Sequence, residues 1–318
     1  FFYKKNSKYT IEKIQQLIET EELDKNIVIA RLIFPTYFYD IIDKYIDEEN
    51  IENIEIYDAR KYGIAKRVIH SHNTVQTGLL HNILHWCNKP CLRFLATDYL
   101  SCSQVASNWL YKCTGVLNKA VIVNNGIDLS QFQFSVEARN RIREKYRISQ
   151  DTIVIGHIGR FDIVKNHTFL IDVEFLQLHP NSILLLVGTG VLFDEMKNRT
   201  NKMGLGDKVI FAGLQSAINE YLSSFDYFVF PSLYEGLPVA LVEAQSSGVM
   251  TICSDKVSKE AQISEYLSYY ELDKSAKEWA QYINSIELLD RLKYVYQLEI
   301  NGYSINKTIQ YLSTEIYI

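Results

Sequence analysis

The chain has 318 residues, 47% hydrophobic and 22% charged, with a formal net charge of −5. That balance excludes a disordered chain and a nucleic-acid coat, and the length suits two domains of about 150 residues each. No run reaches the roughly 18 consecutive apolar residues of a membrane-spanning helix. The nearest stretch, 27–42, is interrupted by Arg31, Pro35 and Asp40. Cysteines stand at 87, 91, 102, 113 and 253, an odd number with no ligand pattern, which reads as reduced thiols of a cytoplasmic protein.

In chain order, "YTIEKIQQLIETEEL" (9–23) has helical spacing and "RVIHSHN" (67–73) reads as a strand entering a loop. "GLLHNILHWCNKPCLRFLATDYL" (78–100) is mostly helical around Pro90. "YLSCSQVASNWLY" (99–111) is a strand followed by a helix, and "AVIVNNGID" (120–128) a strand entering an Asn-Gly turn. The charged segment 130–151 is expected to be a linker. Beyond it strands and helices alternate: "TIVIGHIGR" (152–160), "NHTFLIDVEFLQLHP" (166–180), "SILLLVGTG" (182–190), "VLFDEMKNRTNKMGLG" (191–206), "KVIFAG" (208–213), "INEYLSSF" (218–225), "YFVFPS" (227–232), "PVALVEAQSSG" (238–248) and "MTICSD" (250–255). Unbroken apolar strands alternating with helices predict a parallel, doubly wound sheet, whose ligands bind at the carboxyl ends of the strands. Residues 290–317 read as two helices broken at Asn301-Gly302.

Several residues at those strand ends carry chemistry. Gly159-Arg160 and Lys165 precede a helix, and a helix entry with two cations suits a diphosphate; solvated loop cations are the plainer alternative. Gly188-Thr189-Gly190 either lets backbone approach a ligand or only makes a tight turn. Glu235 and Glu243 are separated by seven residues, and neither has a cationic neighbour in sequence. Pro238 suits the first helical turn, leaving Glu235 in the entry loop and Glu243 more than one turn inside. Glu243, between Val242 and Ala244, needs a partner there, and a carboxylate accepts two vicinal hydroxyls as an acidic residue does for ribose. The plainer alternative is a helix cap and a surface acid. His70 and His72 follow a strand of the first half and suit either a substrate hydroxyl or a structural role.

Taken together, "HSHNT", "YLSCSQVASNWL", "VIVNNGID", "GHIGRFDIVKNHTFLI", "LLLVGTG", "LGDKVIFAGL" and "FVFPSLYEGLPVALVEAQSSG" resemble the family-four class of retaining glycosyltransferases, its bacterial capsule and exopolysaccharide members in particular. The resemblance covers about residues 67–318 in collinear order. It implies a GT-B fold: two Rossmann-like, doubly wound α/β domains facing a cleft. The expected division is 1–147 for the acceptor-side domain, incomplete at its start, 148–295 for the nucleotide-sugar domain, and 296–318 for a helix returning to the first domain. By position, Gly159, Arg160 and Lys165 would hold the donor diphosphate and Glu243 the ribose hydroxyls. Glu235 would face the transferred sugar, with Gly236 and Leu237 offering backbone N–H groups. His72, with His70 as second choice, would be the cleft histidine, and Glu235 and His72 the catalytic pair.

The implied activity moves a sugar from a nucleotide-diphosphate sugar, a UDP-sugar by expectation, to a saccharide or lipid-linked saccharide. Configuration would be retained, with no cofactor and no metal, because the cations face the departing charge. The setting would be cytoplasmic, with peripheral contact at the inner membrane face through basic stretches 60–67 and 89–95, and no nucleic acid. The family's glycine-rich loop near the start of the first domain is absent, and Asn124 replaces the usual proline. A non-catalytic sugar-nucleotide binder is therefore the alternative. A nicotinamide oxidoreductase would require a G-x-G-x-x-G after a strand, which the chain lacks.

Overall fold

The computed structural model describes residues 27–30, 60, 65–72, 86, 89–171, 181–291 and 301–316. The helix expected over 9–23, most of 78–88, and parts of the helical stretches 166–180 and 290–317 lie outside the described residues. Two compact units are present, Phe1–Asn124 with Gln310–Ile318, and Asn125–Ile309.

The first unit holds a parallel sheet of β1 (Ile27–Ala30), β2 (Lys66–Ser71), β3 (Asp98–Ser101) and β4 (Val121–Ile122), in that spatial order. Alternate residues of β2 and β3 face opposite ways, as the pleat requires. Val68 and Leu100 pack with Val123 and Ile316, whereas Ile69 and Tyr99 pack with Leu95, Leu110 and Tyr111. Helix α1 (Gln104–Tyr111) begins where the Ser103 hydroxyl accepts from the Ala106 N–H at 3.0 Å, a side-chain cap for an otherwise orphaned donor. At its other end the buried Tyr111 hydroxyl reaches the carbonyls of Ile69 and Leu100, at 3.0 and 2.7 Å, tying the helix to two strands.

The second unit holds six strands, β5 (Ile153–Ile158), β6 (Ser182–Val187), β7 (Val209–Gly213), β8 (Tyr227–Phe230), β9 (Met250–Ser254) and β10 (Leu267–Tyr270). They form an all-parallel sheet in the order β10-β9-β8-β5-β6-β7. Both faces are covered, which is why the strands are apolar without alternation. Val154, Leu185, Phe228 and Cys253 belong to one core, and Ile155, Leu184, Val229 and Ile252 to the other. Sequential strands run outward from β5 in one direction and from β8 in the other. The strand order therefore reverses between β5 and β8, and the loops leaving their carboxyl ends diverge there.

Two expectations change here. The segment 130–151 is not a linker but part of the second unit. Helix α2 (Val136–Lys145) packs within the second unit, its Arg139 and Arg143 both bound to Asp226. Charge that reads as solvation in sequence is here directed inward. Pro238 is the N-cap of its helix rather than a residue of the first turn, with extended backbone at φ −70° and ψ 130°.

Candidate active site

The loop after β5 is shaped by one carboxylate. Asp162 accepts from the Lys165 backbone N–H at 3.1 Å and from Arg160 Nε at 2.8 Å. Arg160 nevertheless keeps its side chain 78% exposed. The same loop is seated on the turn after β6: Gly159 N–H donates to Val187 O at 3.0 Å and Phe161 N–H to Thr189 O at 2.9 Å. Gly188 makes that seat. Its φ is +137°, and a Cβ there would lie 2.0 Å from Gly159 O. The Gly188-Thr189-Gly190 turn thus brings backbone against backbone, which the sequence left open between a ligand and a turn.

The loop after β8 is tied to the first. Leu233 N–H donates to Val164 O at 2.8 Å and Asn166 Nδ2 to Pro231 O at 3.2 Å. Its outer end is held by Ser258, whose N–H donates to Glu235 O at 3.0 Å. Across these ties Lys165 Nζ meets Glu235 Oε1 at 2.6 Å, with the side chains 16% and 20% exposed. The ammonium also sits 4.5 Å from the Phe230 ring centre. Its stem lies over Gly159, where a Cβ would come within 3.3 Å of Lys165 Cγ and Cδ. The cation that Glu235 lacks among its sequence neighbours is supplied from 70 residues away.

Helix α3 (Val239–Ser246) follows, with no side-chain cap and no acidic residue in its first turn. Glu235 therefore does not cap it. The amides of Gly236 and Leu237, both buried, have no hydrogen-bond acceptor among the described residues. Glu243 lies half-buried on this helix with no ion pair or hydrogen bond from its carboxyl among the described residues. Burial lifts its pKa from 4.5 to about 7. Uncapped N–H groups and an unanswered carboxylate are what a ligand bearing both negative charge and hydroxyls would satisfy.

Beneath the first loop lie two buried histidines that sequence reasoning did not single out. His157 Nδ1 bonds Val229 O at 2.8 Å, while its Nε2 and both ring nitrogens of His167 have no hydrogen-bond partner among the described residues. His167 stacks on Phe161 at 3.8 Å between ring centres. Burial drives its pKa from 6.5 down to about 4, with Asp162 opposing and Lys165 adding to the shift. Asp162 was equally unremarked, although Asp three residues before Lys165 is a visible turn signal. His70 and His72 belong to the first unit, at the end of β2, their ring centres 4.1 Å apart.

Residues 138–303 match the family model described as "Glycosyl transferases group 1". The chain belongs to this family. The match contains Gly159, Arg160, Lys165, Glu235, Gly236, Leu237 and Glu243 of the second unit. Among curated members, this group 1 chain is 36% identical over 213 residues to the putative glycosyltransferase EpsF of Bacillus subtilis (strain 168), covering 63% of this chain and 54% of EpsF. It is 27% identical over 237 residues to the capsular polysaccharide biosynthesis glycosyltransferase CapH of Staphylococcus aureus, covering 72% of this chain and 62% of CapH. The chain thus spans less than two thirds of either relative. Its fold is GT-B, with a solved likeness in Anabaena Alr3699/HepE in complex with UDP-glucose. There the TM-score is 0.65 at 18% identity, covering 83% of this chain and 76% of that one. Among the described residues no helix is long and apolar enough to cross a membrane.

Proposed function

We propose that the chain transfers a sugar from a UDP-sugar to a saccharide or lipid-linked saccharide acceptor, with retention of anomeric configuration, in surface-polysaccharide synthesis. The observation that carries this reading is the meeting of Lys165 and Glu235 where the strand order of the second sheet reverses. Cation and carboxylate are then side by side where a ligand enters an open α/β sheet.

In this reading Arg160 and Lys165 hold the diphosphate, with Gly159 leaving room for the lysine stem. Glu243 accepts the two ribose hydroxyls, and ribose gives the half-buried carboxylate the partners it lacks. Glu235 faces the transferred sugar, and the Gly236 and Leu237 amides bind oxygens of the donor. As the sugar–phosphate bond breaks, negative charge gathers on the diphosphate, where Arg160 and Lys165 stabilise it without a metal. The acceptor hydroxyl attacks the anomeric carbon from the side the diphosphate leaves and gives its proton to a departing phosphate oxygen, which retains configuration. His72 serves the acceptor side. The setting is cytoplasmic, with peripheral contact at the inner membrane face. Support comes from the family match over the donor residues and from the UDP-glucose held by HepE.

Calorimetric titration with a panel of UDP- and GDP-sugars tests the reading. Arg160→Ala and Glu243→Ala should each weaken binding of the preferred donor by about tenfold, the worth of one charge-assisted hydrogen bond. Unchanged affinity in both variants overturns the donor assignment. Tight donor binding without transfer to any saccharide acceptor points instead to a sugar-nucleotide-binding protein.

A further inference from the structure

Glu235 and Lys165 already satisfy one another, and that has a consequence for which ligands the site prefers. The pair is closed at 2.6 Å and largely shielded from solvent. Both backbones are pinned, Lys165 through Asp162 and Glu235 through Ser258. The lysine stem is confined over Gly159 and its ammonium against Phe230. A phosphate that takes this ammonium must first take it from Glu235. We infer that Glu235 is a built-in competitor for Lys165, so that the site discriminates against a free nucleoside diphosphate and in favour of the same diphosphate carrying a sugar.

Opening the ion pair is an exchange of partners. A free nucleoside diphosphate supplies phosphate oxygens for Lys165 and leaves the Glu235 carboxylate without its cation in a half-buried position, which is unfavourable. A diphosphate-linked sugar brings hydroxyl donors to the same place, and the released carboxylate accepts from them. The two halves of one ligand thereby become coupled through one ion pair. The diphosphate opens the pair and the sugar stabilises the opened state. After transfer the diphosphate alone remains, Glu235 reclaims Lys165, and the spent nucleotide is released. With the lysine stem confined over Gly159, the exchange is a turn of the terminal bonds of Lys165.

This inference rests on the donor-site reading above, and the test separates the two. UDP and UDP-glucose are titrated by calorimetry into the 318-residue chain and into Glu235→Gln, Lys165→Met and the double variant, each first shown to melt cooperatively. Glu235→Gln should bind UDP about fivefold more tightly than wild type, the worth of a partly shielded ion pair. Its affinity for UDP-glucose should not rise, and the preference for the sugar-bearing ligand should shrink. The double variant should bind UDP no better than Lys165→Met. Unaltered or weaker UDP binding by Glu235→Gln, repeated in Glu235→Ala, overturns the proposal, as does an equal gain in the double variant. If Lys165→Met binds UDP as wild type does, the donor-site reading has failed instead. If wild type takes no UDP, inorganic pyrophosphate tests the same gain: Glu235→Gln should bind it more tightly than wild type, and no gain overturns the proposal.

Discussion

The two ends of strands β5 and β8 use charge in opposite ways. At their amino ends Asp226 accepts from Arg139, Arg143 and the Val154 N–H, at 2.7, 2.8 and 2.7 Å. Arg143, with a fully buried side chain, passes three further hydrogen bonds to the carbonyls of Ser149, Gln150 and Thr152. At the carboxyl ends Arg160 is mostly exposed, Lys165 and Glu235 hold only each other and an aromatic face, and Glu243 holds nothing among the described residues. The amino-end cluster fastens helix α2 to the sheet and engages both terminal nitrogens of Arg143, although its buried Nε has no hydrogen-bond partner among the described residues. The carboxyl-end cluster is framed by loop hydrogen bonds, closes Lys165 and Glu235 only on one another, and leaves Arg160 exposed and Glu243 unanswered among the described residues. Unused capacity on a rigid frame is what distinguishes a binding site from a structural clamp.

The largest expected effect breaks the clamp. Asp226→Ala strands a buried guanidinium and should cost about 3–5 kcal/mol of unfolding free energy, read from urea denaturation. The variant should bind the donor with unchanged affinity wherever it remains folded. A loss below about 1 kcal/mol would show that the amino-end cluster is solvated and no different in kind from the carboxyl end.

This contrast also marks what sequence could reveal. The strands of the second unit were legible because parallel strands buried on both faces are unbroken apolar runs, as "SILLLV" and "YFVF" are. Glu235, Glu243, Arg160 and Lys165 stood out as charges at strand ends or amid apolar residues. Arg139 and Arg143 did not, because a charged helix reads as solvated until its partner is known, and that partner lies more than 80 positions away. The Lys165–Glu235 contact was hidden for the same reason: only the reversal of strand order brings residues 70 apart together. Strand β10, "LSYY", was missed because it is short and its residues are mixed. The helix after it, Ala276–Ser285, did carry a signal in Ser275-x-x-Glu278, which forms a capping box.

A second substitution tests whether the carboxyl end is as rigid as this contrast requires. Gly188→Ala places a methyl group 2.0 Å from Gly159 O on a backbone with φ of +137°. The strain should cost about 2–3 kcal/mol, and the loop carrying Arg160 and Lys165 must shift to relieve it. Donor affinity should therefore fall although Gly188 touches no side chain of the site. Stability lost with donor affinity intact would mean that the loop keeps its shape without this seat.

The smallest effect sharpens the contrast by pH. Burial raises Glu243 from 4.5 to about 7, so the folded carboxyl binds a proton that the unfolded one has already released. Its contribution to stability is complete below pH 4.5 and is lost as the pH rises to 7. His167 acts in the other direction. Its pKa falls from 6.5 to about 4 on burial, so its contribution is complete above pH 6.5 and is lost as the pH falls to 4. The two slopes oppose one another between pH 4.5 and 6.5, and wild-type stability alone would show little of either. Glu243→Gln isolates them: above pH 7 it should exceed wild type by about 1–2 kcal/mol, and below 6.5 it should show the histidine slope uncovered. A carboxylate that destabilises the empty fold at neutral pH is one that a ligand's hydroxyls can stabilise, so the gain should vanish when both proteins are saturated with donor. Parallel pH profiles for variant and wild type would mean that Glu243 is already answered in solution, and the carboxyl end would then be a second clamp.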